Sequence, residues 1–161
     1  MAKEKSVRIG TDGNAMTAWQ IWLRRLCIVM IVWAVLGLIA GLFFMLAPQF
    51  IDLQSVFGDE KILDLGIQEA FTLLSVSSLV GAFLNVVIAF LGIRGAENPK
   101  KVTLFFWIAL IDAVLTAWAL ASNISIGIID PTSIVSGLFI IALATCAWQV
   151  RKQTGYFDPR P

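Results

Sequence analysis

Four long apolar runs dominate the pattern of hydrophobic and polar positions along the chain. They cover residues 26–47, 70–93, 102–121 and 132–150, and each holds 19 to 24 residues. An α-helix needs about 20 apolar residues to cross the roughly 30 Å hydrocarbon core of a bilayer. The pattern therefore predicts an all-α integral membrane protein whose four spans form one four-helix bundle.

The composition is that of a chain that lies mostly within the bilayer. Of its 161 residues, 58% are hydrophobic and only 14% are charged, and the mean hydropathy is +0.84. Four spans and their connections use almost the whole chain, so we expect no separate soluble domain. The expected layout is a flexible cytoplasmic N-terminus at residues 1–16, the transmembrane domain at 17–150 and a cytoplasmic tail at 151–161.

The start of the first helix has a sequence signature of its own. Thr17 is followed by Gln20 three residues later. In such a capping box the two side chains accept hydrogen bonds from backbone N–H groups that the first helical turn leaves free. We therefore expect helix 1 to begin near Thr17, before the apolar run, and Pro48 predicts its end.

An aromatic and basic cluster lies at the start of this helix. Trp19 and Trp22 lie three residues apart and directly precede Arg24 and Arg25. Tryptophan is enriched at membrane–water interfaces, and arginine near a helix end can extend its charge toward the headgroups. These four residues are the predicted membrane interface.

The basic residues predict the orientation of the spans. Eleven of the twelve lie in segments that share one side of the membrane, and the remaining one, Lys61, lies on the other side. The eleven are Lys3, Lys5, Arg8, Arg24, Arg25, Arg94, Lys100, Lys101, Arg151, Lys152 and Arg160. Because cytoplasmic loops carry the excess of Lys and Arg, we expect both termini in the cytoplasm.

The connection between helices 1 and 2 is the longest, at residues 49–68. Its apolar residues Phe50, Leu53, Val56 and Phe57 recur at helical spacing. This spacing predicts a short amphipathic outer segment that lies on the membrane surface or caps the bundle. The alternative is a partly buried loop that packs on the helix ends.

The connection between helices 2 and 3 is short and carries a family resemblance. Asn98 before Pro99 predicts a helix N-cap followed by proline at the first helical position. Residues 91–101 have the sequence LGIRGAENPKK. This segment, with the four-span layout, resembles the inner loop of small uncharacterised bacterial membrane proteins. The resemblance implies a multi-pass protein of the bacterial plasma membrane (the cell inner membrane) and implies no activity.

Small residues four positions apart predict the helix-packing faces. Lipid chains are as apolar as leucine, so membrane helices associate through close backbone approach and interhelical polar contacts. The predicted stripes are Gly37 and Gly41 in helix 1; Ser77, Gly81, Asn85 and Ala89 in helix 2; Ala109, Ala113, Ala117 and Ala121 in helix 3; and Gly137 in helix 4. The alternative for the two glycines of helix 1 is that glycine is simply frequent in membrane helices.

Asp112 is the one ionisable carboxylate inside the apolar runs. It lies about ten residues, or roughly 15 Å, from the cytoplasmic end of helix 3. A charged carboxylate at that depth is costly, so we expect it to face inward, to have a partner or to be protonated. Asn85 has a similar depth on helix 2 and is the predicted hydrogen-bond partner.

Two interpretations of this polar group stay open. With Asn85, Thr116, Ser77 and Ser78, Asp112 can form a polar track for an ion, a proton or a lipid headgroup. The alternative is a purely structural hydrogen bond to Asn85, in which Asp112 is protonated because it is removed from water.

The remaining sequence argues against most catalytic chemistry. The chain contains no histidine, no glycine-rich nucleotide loop, and two cysteines, Cys27 and Cys146, with no Cys-x-x-Cys motif. We therefore expect no metal, no cofactor and no enzymatic activity. The eleven cations indicate topology and contact with anionic lipid rather than nucleic-acid binding.

Three functional hypotheses follow. The first is a non-catalytic bundle that binds membrane lipids, a second copy of itself or another membrane protein through its helix grooves. The second is a small transporter or channel that uses Asp112 and Asn85. The third, the least favoured, is a membrane enzyme acting on lipid, because no second catalytic group shares the depth of Asp112.

Overall fold

Four long α-helices make up the protein in the computed structural model, which describes residues 9–11, 13–51, 66–125 and 131–153. The helices are α1 (Ala18–Phe50), α2 (Ile67–Glu97), α3 (Val102–Ser125) and α4 (Pro131–Lys152). Each contains a stretch long and apolar enough to cross a membrane, which confirms the four predicted spans. The predicted amphipathic segment lies almost entirely outside the described residues.

Helix α1 begins at its capping box. The Gln20 backbone N–H donates to Thr17 Oγ1 at 3.4 Å, and the Thr17 N–H donates to Gln20 Oε1 at 2.8 Å. The helix does not stop at Pro48, as the sequence predicted, but ends at Phe50. Proline lacks one backbone hydrogen-bond donor, but its fixed φ is a helical value. The last turn of α1 can therefore continue for two residues past Pro48.

The turn between α2 and α3 follows the predicted capping pattern. Asn98 is extended and its side chain accepts a hydrogen bond from the Lys100 N–H at 3.1 Å. Pro99 occupies the first position of a single 3₁₀ turn, Pro99–Lys101, that leads directly into α3. Proline suits this position because an N–H there would have no partner within the helix.

The chain forms two compact units. The hairpin unit is Val29–Val87, and the terminal unit combines Met1–Ile28 with Ile88–Pro161. Each unit has its own packed interior.

In the hairpin unit, α1 and α2 approach closely at two glycines. A Cβ atom built on Gly37 would lie 3.3 Å from Ala82 Cβ, and one built on Gly41 would lie 2.8 Å from Leu79 Cγ. The buried Ser75 hydroxyl donates to the Gly41 carbonyl at 3.0 Å. The glycines therefore allow both close packing and an interhelical hydrogen bond, as is typical of membrane helix pairs.

The packed positions of this unit alternate in steps of three and four. Buried and half-buried positions that follow these steps include Met30, Ala34, Gly37, Gly41 and Phe44 on α1, and Phe71, Ser75, Ser78, Ala82 and Asn85 on α2. This is the 3.5-residue period of left-handed helix packing.

The stripe predicted on α2, with a spacing of four, does not match this period. Steps of four drift by about 40° each around a helix of 3.6 residues per turn. Ser77 is accordingly exposed. A Cβ on Gly81 would meet no described atom within 4 Å, so Gly81 is not at a close helix contact.

The terminal unit holds the start of α1, the end of α2, the start of α3 and the end of α4, and we call the end of the unit where these four meet its inner end. Its fully buried side chains include Leu23, Cys27, Val102, Phe105 and Val150. Gly92 lies against Cys27 and Phe105, where an added Cβ would be 2.7 Å from the phenylalanine ring. A side chain at Gly92 would therefore separate three helices of this unit.

We predict that Gly41→Leu destabilises the protein, because the new side chain would overlap Leu79 and its backbone nitrogen. Overpacking of this kind costs about 1–3 kcal/mol. Gly81→Leu is the matched control, since it makes the same gain in helix propensity where space is open. Thermal unfolding followed by far-ultraviolet circular dichroism should show a lower Tm for Gly41→Leu alone. Equal Tm values for the two variants would show that α1 and α2 do not pack at Gly41.

Candidate functional site

One side of α3 changes character halfway along the helix. The positions are Val102, Phe105, Ala109, Asp112, Thr116, Ala119 and Asn123, and we call them the α3 seam. Their steps of three and four give the same 3.5-residue period as the packed positions of the hairpin unit. The first three are buried, with at most 5% exposure, and the last four are exposed or half-exposed.

The outer part of this seam, from Asp112 to Asn123, is polar as well as open. Asp112 and Ala119 are exposed, and Thr116 and Asn123 are half-buried. Three of its four side chains can form hydrogen bonds, although they lie in a helix that is long and apolar enough to cross a membrane. The outer seam is therefore the candidate functional site.

Asp112 has no hydrogen-bond or ion-pair partner within its unit among the residues that the structure describes. The sequence predicted that it would face inward, be paired or be protonated. It does lie on the packed side of α3, but it is itself exposed. Ala109, three residues earlier, is buried, and Thr116, four residues later, is half-buried near Gly137 of α4. A charged, unpaired carboxylate would be costly in hydrocarbon, so at membrane depth Asp112 would need a proton, a partner or a ligand.

The other residues of the predicted polar track belong to the hairpin unit. Asn85 and Ser78 are half-buried at packed positions of α2. The Ser77 hydroxyl instead donates to the carbonyl of Leu74 in its own helix, at 3.1 Å. Because Asn85 and Asp112 lie in different units, the hydrogen bond between them stays a prediction.

The small residues of α3 and α4 contribute unequally to packing. Ala109 is buried, Ala113 is half-buried, and Ala117 and Ala121 are exposed, which is again the drift of a four-residue spacing. On α4, a Cβ built on the buried Gly137 would lie 3.7 Å from the Thr116 methyl group. Thr116 thus borders both the contact with α4 and the open seam.

The inner end of the terminal unit carries a second set of polar contacts. Gln20, 4% exposed, donates from Nε2 to the Ala96 carbonyl at 2.9 Å. The Thr11 N–H donates to the Glu97 carbonyl at 3.1 Å, and Arg24 forms an ion pair with the Glu97 carboxylate at 3.3 Å. Gln20 and Thr11 satisfy carbonyls that the end of α2 leaves without helical partners, whereas Arg24 pairs with the side chain of Glu97.

Two arginines at the inner end lie over aromatic rings. The Arg25 guanidinium is 5.3 Å from the centre of the Trp22 ring. Arg151, only 4% exposed, lies 4.7 Å from the ring centre of Phe106 and 5.4 Å from that of Trp107. Trp19 and Trp22 are both exposed, at 41% and 54%.

Sequence reasoning missed two residues of these contacts. It treated Arg151 as an orientation signal and a contact for anionic lipid rather than as a buried residue, and it passed over the buried Ser75. No local pattern marks either residue, because its partners lie on other helices. Gln20 was found as a capping residue, but its bond to Ala96, 76 residues away, was not.

The described part of the chain offers no cluster of three or more metal-ligating side chains. Cys27 and Cys146 are free thiols, and both are buried. Comparison with protein-family models, with curated proteins and with solved structures finds no match to this chain. A functional hypothesis therefore has to be built on the chain's own geometry.

Proposed function

We propose that this chain is a non-catalytic four-span membrane protein that binds a lipid or a membrane partner along the outer α3 seam. The observation that carries the proposal is the change along one side of α3, from buried at Ala109 to open and polar at Asp112. The side of α3 that packs tightly from Val102 to Ala109 is therefore accessible to a ligand or a partner helix at Asp112 and Ala119.

The side chains of the outer seam suit binding better than catalysis. Asp112 is its single titratable group, and Thr116 and Asn123 supply neutral donors and acceptors. Acid–base catalysis usually needs a second positioned group, whereas one carboxyl with neutral neighbours can hydrogen-bond a headgroup or a polar residue of another helix. Ala119, two turns beyond Asp112, leaves room for close approach.

We also propose that the protein lies in a bacterial plasma membrane with both termini in the cytoplasm. The segment LGIRGAENPKK supports the bacterial origin through its resemblance to small four-span bacterial proteins. The eleven basic residues on one side support the orientation.

A small transporter or channel is the second candidate. It is favoured by Asp112, a carboxyl without a partner in its own unit at about the depth of the membrane midplane. In this alternative Asp112 would carry a proton or a cation, with Asn85 as a second ligand.

The binding proposal predicts that a photoreactive amino acid at Ala119 forms an adduct in native membranes. Mass spectrometry of the adduct distinguishes a lipid from a protein. The same amino acid at the buried Ala109 is the control and should give no external adduct. If Ala119 crosslinks only to helices of its own chain, the outer seam is filled from within and the proposal fails.

The binding proposal also predicts no ion flux through the purified protein in liposomes. Proton or cation flux should equal the background for both the parent and Asp112→Asn. Thr72→Ala, which changes an exposed hydroxyl bonded within its own helix and outside the predicted polar track, is the control. Flux in the parent and in Thr72→Ala that is lost in Asp112→Asn would establish the transporter alternative.

The orientation predicts the accessibility of single engineered cysteines. Gln54→Cys, in the connection between helices 1 and 2, should react with an impermeant maleimide added to intact cells. Lys100→Cys, which is exposed in the turn before α3, should react only after the membrane is permeabilised. Labelling of Lys100→Cys in intact cells would reverse the proposed orientation.

A further inference from the structure

The inner end of the terminal unit has a strong imbalance of charge. Its described basic residues are Arg24, Arg25, Arg94, Lys100, Lys101, Arg151 and Lys152, and Glu97 is the single acidic residue described there. Glu97 is already paired with Arg24 at 3.3 Å. Five of the basic residues are exposed and form no ion pair with a described acid: Arg25, Arg94, Lys100, Lys101 and Lys152.

Arg25 differs from the other four because an exposed aromatic ring holds it. Its guanidinium lies 5.3 Å from the ring centre of Trp22, one helical turn earlier on the same face. A guanidinium that lies over a ring keeps the N–H groups at its edge available, and these groups match the oxygens of a phosphate. The Trp22 ring, 54% exposed, is the kind of group that lies at headgroup depth.

We propose that Trp22 and Arg25 form a binding site for the phosphate of an anionic phospholipid headgroup. The ring lies among the glycerol and upper acyl groups, and the guanidinium donates to the phosphodiester oxygens. The exposed lysines at the same end of the unit add attraction for a net negative charge, which a zwitterionic headgroup lacks. This site is separate from the outer α3 seam, and the proposal for it does not depend on the function proposed for that seam.

The adjacent Arg24 provides a matched control, because it carries the same charge one residue away. Its charge is already neutralised by Glu97, and its side chain is 33% exposed. Arg24→Gln should lower the thermal stability in any lipid and, because it leaves Glu97 unpaired, weaken the affinity for anionic lipid somewhat, but clearly less than Arg25→Gln. Arg25→Gln should weaken that affinity more and lower the thermal stability less.

The test titrates the purified protein, in phosphatidylcholine-containing micelles, with phosphatidylglycerol and measures bound lipid by native mass spectrometry. A cation near an anionic headgroup contributes enough that Arg25→Gln should weaken phosphatidylglycerol binding by about fivefold. Trp22→Leu should weaken it in the same direction, since the guanidinium loses its platform. Inorganic phosphate in large excess should not displace the lipid.

Three results would overturn the proposal. The first is equal affinity of the parent for phosphatidylglycerol and added phosphatidylcholine. The second is an equal loss of affinity in Arg24→Gln and Arg25→Gln, which would indicate a general effect of charge. The third is displacement of the lipid by inorganic phosphate, which would indicate a soluble anion as the ligand.

Discussion

Close approach of helix backbones is the constraint on which the rest of this structure depends. In a bilayer, apolar side chains gain little by leaving lipid for another helix, so association relies on short-range packing and polar contacts. Gly37 and Gly41 provide this closeness in the hairpin unit, and Gly92 and Gly95 provide it in the terminal unit. The hydrogen bond from Ser75 to the Gly41 carbonyl exists because no side chain at Gly41 separates the two helices.

At the inner end of the terminal unit, the helix ends leave backbone N–H and C=O groups without partners in their own helix, and side chains supply those partners. Gln20 bonds the Ala96 carbonyl while its Oε1 caps α1, so one buried side chain completes the ends of two helices. Each such bond contributes about 1 kcal/mol net, and a buried group left without its partner would cost more. The order at this end contrasts with the open outer half of the α3 seam.

The sequence predicted the features that depend on local pattern and missed those that depend on which face is buried. Hydropathy alone locates four spans, and Thr17–Gln20 and Asn98–Pro99 locate two helix starts, because each involves residues within a few positions. The packed faces were predicted with a period of four instead of 3.5. In a soluble helix, polar residues mark the outer face, but here both faces are apolar and only small residues remain as a guide. The sequence did identify Asp112, because a carboxyl stands out in an apolar run. It could not show that Ala109 is buried while Asp112 is exposed, because burial depends on which residues of other helices lie opposite.

The six tryptophans all lie on the outside of the protein, from 40% exposure at Trp148 to 75% at Trp118. Intrinsic fluorescence of this chain therefore reports on the surrounding lipid rather than on the interior. Trp33 and Trp118, the two most exposed, lie well inside apolar helices, whereas Trp19 and Trp22 lie at the start of α1. Quenchers attached at different depths along the acyl chain would therefore distinguish the two pairs, and the natural sequence already carries a set of optical depth markers.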